Sequence, residues 1–169
     1  MSHANGLATL RYLKKAEDPD VMKPRNPLLT LDANVLIAAL KTDEFHSEKC
    51  AKILAQVPDQ FILAEPSIIY QEVCGTMARK TSLDVANKAK KQLDLMTHPK
   101  LLTNCDRNLC TSAFALCSEY GIYAIDALYL QVALTNRAIL VSLDKEDFID
   151  KLKNKKLTIE AYTVSEFPY

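Results

Sequence analysis

Five acidic side chains stand where acids are costly unless something offsets their charge. Asp32 follows the apolar run LLTL, and Glu72 interrupts the apolar stretch SIIYQEVCG. Asp126 opens the run IDALYLQVAL after GIYAI, and Asp144 follows AILVSL, with Asp147 three residues beyond. Buried carboxylates need hydrogen bonds, a counter-ion or protonation. Grouped together they repel one another, and a divalent cation removes that conflict. Oxygen donors without histidine or thiolate suit magnesium or manganese. Such an ion polarises a phosphoryl oxygen and acidifies its bound water, so the reaction it favours is phosphodiester hydrolysis. His3, His46 and His98 lie in unrelated segments, and metal-held water needs no histidine base. Taken singly, each acid has a plainer reading. Asp32, Asp126 and Asp144 each suit a helix N-cap. Glu72 suits a helix's polar edge beside Gln71, and Asp147 suits a solvated charge or a helper in the Asp144 cap.

The elements that must bring these acids together alternate along the chain. LLTL, FILA, KLLTN and AILVSL read as strands, and LTIEAYTV alternates as an edge strand would. Between them lie helical runs. Cys50, Ile53, Leu54 and Val57 stripe a helix over about 45–57. Pro66 suits the first turn of a helix through SIIYQEVCGTMARK. Thr81 with Asp84 resembles a capping box for the helix striped by Val85, Ala89, Leu93 and Met96. Gly121 ends the helix striped by Leu109, Ala113, Leu116 and Tyr120. IDALYLQVAL is apolar nearly all round and should be deeply buried, and DKEDFIDKLKNK should form a short charged helix. Strands separated by helices imply an α/β fold, a single-domain parallel sheet with helices on both faces. Such a sheet brings the C-terminal ends of its strands to one edge, so Asp32, Asp126 and Asp144 can converge there. Residues 1–27, broken by Pro19, Pro24 and Pro27, read as an irregular N-terminal extension before a domain over 28–169.

Composition narrows the choice. The 169 residues are 49% hydrophobic and carry 21 basic and 21 acidic side chains, a formal net charge of zero. Zero charge argues against a nucleic-acid coat protein and leaves room for an enzyme with a local basic rim. There is no signal-peptide pattern and no apolar run near the roughly 18 residues of a membrane span, so the expectation is a cytoplasmic protein without a membrane. Five cysteines without a Cys-x-x-Cys pair read as reduced, buried small hydrophobes. A zinc site from Cys105, Cys110 and His98 lacks the usual spacing.

With these motifs in order, the chain resembles the PIN domains, metal-dependent ribonucleases that include the VapC-type toxins of bacterial and archaeal toxin–antitoxin pairs. The resemblance runs from about Leu28 to Phe167. LDANVLIAAL supplies an aspartate after the first strand, with Asn34 where the family has a small polar residue. YQEVCG supplies the helical glutamate, AIDALYLQVAL the aspartate opening a buried helix, and LVSLDKEDF the aspartate after the next strand, followed by Asp147 and Phe148. Ser142 and Leu143 replace the Thr and Arg common before that last aspartate. The resemblance implies that Asp32, Glu72 and Asp126 are the core ligands of Mg2+ or Mn2+. Asp144 would support the metal directly or through water, Asp147 would stand behind it, and Asn34 and Ser142 would orient ligands or water. It implies an endoribonuclease cutting single-stranded or loop RNA, a small antitoxin partner and a homodimer.

Arg79 and Lys80 follow Glu72 by two turns and would rim the cleft, gripping phosphates, unless they are an ordinary solvated face. Tyr70 and Tyr123 flank the motif acids and would either stack bases or pack in the core. The run Lys151, Lys153, Lys155 and Lys156 reads as solvated turn chemistry. Two other functions compete. A haloacid-dehalogenase-type phosphatase would want an acid at position 34, where Asn34 stands. A catalytically silent PIN-like module would bind RNA or protein without cutting.

Overall fold

The computed structural model describes residues 26–41 and 44–169. The extension expected over 1–27, and the domain boundary placed there, lie outside the described residues except for Asn26 and Pro27. Five strands form one sheet: β1 Leu28–Leu31, β2 Ile62–Pro66, β3 Thr97–Thr103, β4 Ile139–Ser142 and β5 Ala161–Thr163. Their order is β3-β2-β1-β4-β5, and every pairing is parallel. The helices are α1 Ala33–Leu40, α2 Ser47–Leu54, α3 Ile68–Lys80, α4 Leu83–Met96, α5 Arg107–Tyr120, α6 Ala124–Asn136 and α7 Asp150–Lys153. Right-handed crossovers put α1–α4 on one face and α5–α7 on the other, because the chain winds outward first to β3 and then to β5. The winding reverses between β1 and β4. An open parallel sheet has its ligand crevice at such a point. The expected parallel sheet with helices on both faces is what the chain forms. Among the described residues no helix is long and apolar enough to cross a membrane.

Local chemistry explains where the elements begin and end. Leu29 and Leu31 are fully buried, as is Leu140 beside them on β4. Helix α6 buries Ala127, Leu128, Tyr129, Leu130, Val132 and Ala133 and packs across β2, β1 and β4. Gly121 closes α5 with φ 70°, a left-handed conformation that a side chain would strain.

Four expectations need correction. Helix α2 is shorter than 45–57. Pro66 ends β2 instead of starting α3, because the Ser67 N–H donates to Thr103 O at 2.8 Å and keeps the chain extended along β3. The cap of α4 is Ser82, whose hydroxyl accepts from Val85 N, while Thr81 turns its hydroxyl back to Met77 O. The segment after β4 is a π-helical turn, Lys145–Ile149, followed by α7, and it buries Phe148 and Ile149 completely.

One irregularity matters for the site. Strands β1 and β2 are in backbone register only at Leu28↔Ile62 and Leu29↔Leu63. Beyond that, side chains take over. Thr30 Oγ1 donates to Ala64 O at 2.7 Å, and the Leu31 N–H donates to Glu65 Oε1 at 2.8 Å. Glu65 is fully buried. Burial pushes its carboxyl well above the usual carboxylate range, against the Leu31 hydrogen bond that lowers it. Its Oε2 meets no partner among the described residues. Glu65→Gln keeps the acceptor for Leu31 and is expected to fold with near wild-type stability. Glu65→Ala strands the Leu31 N–H over a cavity and is expected to cost about 2–4 kcal/mol in urea unfolding. Equal stabilities for the two variants would show that this side chain does not hold the strand.

Candidate active site

Asp32 sits at the junction of β1 and α1, buried, with its backbone N–H donating to Val141 O of β4 at 3.0 Å. A compact network fixes its carboxylate. Ser142 Oγ donates to Asp32 Oδ2 at 2.6 Å, and Asn34 Nδ2 donates to the same oxygen at 2.6 Å. Asn34 Nδ2 also donates to Ser142 Oγ at 3.1 Å, and Asn34 Oδ1 accepts from Leu143 N at 3.0 Å. The Asp144 N–H closes the network by donating to Ser142 Oγ at 2.9 Å. Asp32 Oδ1 has only a long bond from Asn34 N, 3.4 Å. The cap reading of Asp32 therefore holds, and the cap leaves one carboxylate oxygen lightly engaged.

The other acids gather around it. Asp126 lies in the first turn of α6, three residues past the cap position, which is Tyr123, so the N-cap reading of Asp126 does not hold. Burial raises the Asp126 carboxyl to about 7, with Asp32, Asp144 and Glu72 adding repulsion and the Tyr123 backbone N–H opposing the shift. Asp126 Oδ2 is buried and meets no hydrogen-bond partner among the described residues. Glu72, in the second turn of α3, is raised chiefly by burial and also by Asp32. Asp32 is raised too, chiefly by burial and further by the charge of Asp144, while the hydrogen bonds from Ser142 and Asn34 lower it. These mutual effects place Asp32, Glu72, Asp126 and Asp144 in one electrostatic cluster. Among the described residues, however, no three His, Cys, Asp or Glu side chains stand as a ready-made metal-holding group. Asp144 caps the π-helical turn by accepting from Asp147 N at 2.9 Å. Asp147 is exposed and pairs with Lys151 at 3.0 Å.

Two residues near the cluster escaped sequence reasoning. Tyr129, fully buried one turn after Asp126 on α6, donates its hydroxyl to Glu72 Oε2 at 2.7 Å. A hydroxyl among the buried apolar residues of α6, three residues after a motif acid, is the signal for it. Glu65 is the other, an acid at the end of an apolar strand. Arg79 and Lys80 are exposed at the end of α3, about 10 Å of helix beyond Glu72. Tyr70 is tied away from the acids, its hydroxyl donating to Asp94 Oδ1 at 3.0 Å and meeting Thr97 Oγ1 at 3.1 Å. Tyr123 is 65% exposed, so it is not a core residue. All five cysteines are free; Cys50 is buried, but Cys110 is exposed, which corrects the expectation of five buried thiols.

Open parallel sheets bind their ligands at the switch point, and acids with raised proton affinity gather at this one. The PIN domain family model matches residues 29–154, and the chain belongs to that family. Three solved structures share the fold at 15% identity. FitAB bound to an IR36 DNA fragment has a TM-score of 0.61, with 84% of this chain and 98% of that one covered. VapBC2 from Rickettsia felis, bound to a DNA fragment from its promoter, gives 0.56 with 80% and 98%. FitAcB from Neisseria gonorrhoeae gives 0.55 with 82% and 98%. Comparison with curated protein sequences gives no match.

The raised carboxyl groups set a stability dependence. Asp126 shifts from 3.8 to about 7, so its folded form binds the proton more tightly than its unfolded form. Its contribution is fully present below pH 3.8 and is lost as pH rises to about 7. In chelator, wild-type stability is expected to fall over that window. Asp126→Asn is expected to flatten the fall and raise the melting temperature at neutral pH. Parallel pH profiles for the two proteins would refute the assignment.

Proposed function

We propose that this protein is a divalent-metal-dependent endoribonuclease that hydrolyses phosphodiester bonds in single-stranded or loop RNA in the cytoplasm. The observation that carries the reading is the frustrated carboxylate cluster. Asp126 holds a buried oxygen without a partner among the described residues and faces the fields of Asp32, Asp144 and Glu72. The donor set is all hard oxygen, which fits magnesium or manganese and does not fit softer metals. Asp32, Glu72 and Asp126 would hold the ion, with Asp144 supporting it directly or through water. When bound, such an ion polarises a phosphoryl oxygen and lowers the pKa of its water.

The protein's own groups supply the rest. Asn34 and Ser142 aim Asp32 by occupying one of its oxygens, and the other, with its long bond from Asn34 N, would be the one to meet an ion. The carboxylates, which repel one another while charged, would draw together once their charge is offset. Asp147 stands behind Asp144 through its backbone N–H. Arg79 and Lys80 are candidate contacts for the backbone of a longer strand reaching along α3. Asn34 carries an amide where a phosphatase of the haloacid-dehalogenase type needs a carboxylic acid, so it offers no general acid, which disfavours a phosphatase.

The likeness to FitAB and VapBC2 supports a further step, in which the chain is the toxin of a pair held by a small antitoxin; a homodimer is the further expectation carried by the PIN resemblance alone. The competing reading is a silent PIN-like module that binds RNA or protein. Purified protein is expected to cleave a mixed RNA pool with Mn2+ and to stop on chelation. Asp32→Asn and Asp126→Asn are each expected to lower the rate at least ~100-fold while circular dichroism stays native. Undiminished cleavage by either variant would remove that residue from the site. A wild-type protein inert at every Mg2+ or Mn2+ concentration would favour the silent module.

A further inference from the structure

A path of contacts runs from one acid of the cluster to another by way of solvent-facing groups. Starting from Asp126, the Tyr123 backbone N–H donates to its carboxyl. The Tyr123 ring lies with the Lys151 ammonium 5.7 Å from its centroid. Lys151 Nζ donates to Asp147 Oδ1 at 3.0 Å, and the Asp147 N–H donates to Asp144 Oδ1 at 2.9 Å. The path therefore ends on the second acid of the cluster. Its middle members face solvent: Tyr123 is 65% exposed, and the Asp147 side chain is 55% exposed. Tyr123 makes no side-chain cap bond although it holds the cap position of α6, so its ring is not spent on the fold. Tyr70, the chain's other motif-flanking tyrosine, differs in having its hydroxyl tied to Asp94 and Thr97.

We propose that Tyr123 and Lys151 form a nucleotide-binding rim, on which an unpaired RNA base stacks against Tyr123 while Lys151 takes the adjoining phosphate. The inference rests on the nuclease reading and names how that site grips its substrate. An acidic cleft repels phosphates, so a polyanion entering it needs a cation fixed beside the acids, and Lys151 is fixed there by Asp147. An exposed phenol ring next to that cation offers a stacking face that every base can use, which suits binding without sequence readout. Lys151 already lies against the ring, so base, ring and ammonium can form one stack without rebuilding the site.

The test uses the full chain and a labelled, unstructured RNA oligonucleotide. Binding is read by anisotropy in chelator, and cleavage is read with Mn2+. Tyr123→Ala and Lys151→Ala are each expected to raise Kd and KM about tenfold, with kcat within about twofold of wild type. Tyr123→Phe is expected to match wild type, and every variant keeps the backbone N–H that meets Asp126. Lys151→Ala is also expected to make the log–log salt slope shallower by about 0.7. If wild type cleaves RNA and Tyr123→Ala leaves Kd and KM unchanged, the rim is overturned while the nuclease reading stands. If Tyr123→Ala instead releases a copurifying protein without altering RNA affinity, the rim belongs to a protein partner and the proposal fails. If wild type neither binds nor cuts RNA, both readings fall together.

Discussion

The hydrogen-bond knot of Asp32, Asn34 and Ser142 is what the rest of the site depends on. It joins the end of β1, the start of α1 and the end of β4, three elements that the sheet's reversal brings to one point. Ser142 uses its whole capacity there, donating once to Asp32 and accepting from Asn34 and the Asp144 N–H. Asn34 spends both amide ends in the same place. A side chain with every donor and acceptor committed has one orientation, so Asp32 points one way without help from a ligand. The same knot sets where Asp144 starts, because Ser142 holds the backbone N–H of Asp144. Two acids 112 residues apart in the sequence are thus fixed by one serine hydroxyl.

Around this rigid point the electrostatics are deliberately poor for stability. Three carboxyl groups carry raised proton affinity, each mainly through burial. A fold optimised only for stability would replace at least one of them with an apolar or amide side chain. Sites that bind and react commonly keep such conflict, because the ligand is what relieves it. Tyr129 shows the complementary device. Its hydroxyl satisfies one oxygen of Glu72 from within the core and so holds the glutamate in place.

Much of this was legible in the sequence, and the reasons are physical. The alternation of buried strands and amphipathic helices dictated a parallel sheet, and topology then carried the strand-end acids to one edge. Asp32, Glu72, Asp126 and Asp144 could be singled out because each interrupts or ends an apolar run. The element ends were less legible. Pro66 obeys both a helix-start and a strand-end rule, and only the long-range bond from Ser67 N to Thr103 O decides between them. Thr81 and Ser82 offer equivalent hydroxyls, and the backbone selected the second. Glu65 and Tyr129 were passed over because their partners, Leu31 N and Glu72, lie far away in sequence. The exposure of Tyr123 was equally hidden, since a tyrosine in GIYAI looks apolar until the helix it caps is placed on the sheet.

The two flanks of β1 are held by different kinds of bond. Toward β4 the main chain does the holding, with Asp32 N on Val141 O. Toward β2, near the cleft, Thr30 and Glu65 side chains stand in for it. Backbone ladders are indifferent to residue type, so ordinary substitution leaves the β1–β4 pairing as it is, while the aim of Asp32 on that side rests on the Ser142 and Asn34 side chains. The β2 flank is written in side chains and changes whenever they do. Single substitutions at positions 30 and 65 can therefore shift or stiffen the strand on one side of Asp32, while the backbone pairing on its other side stays where it is.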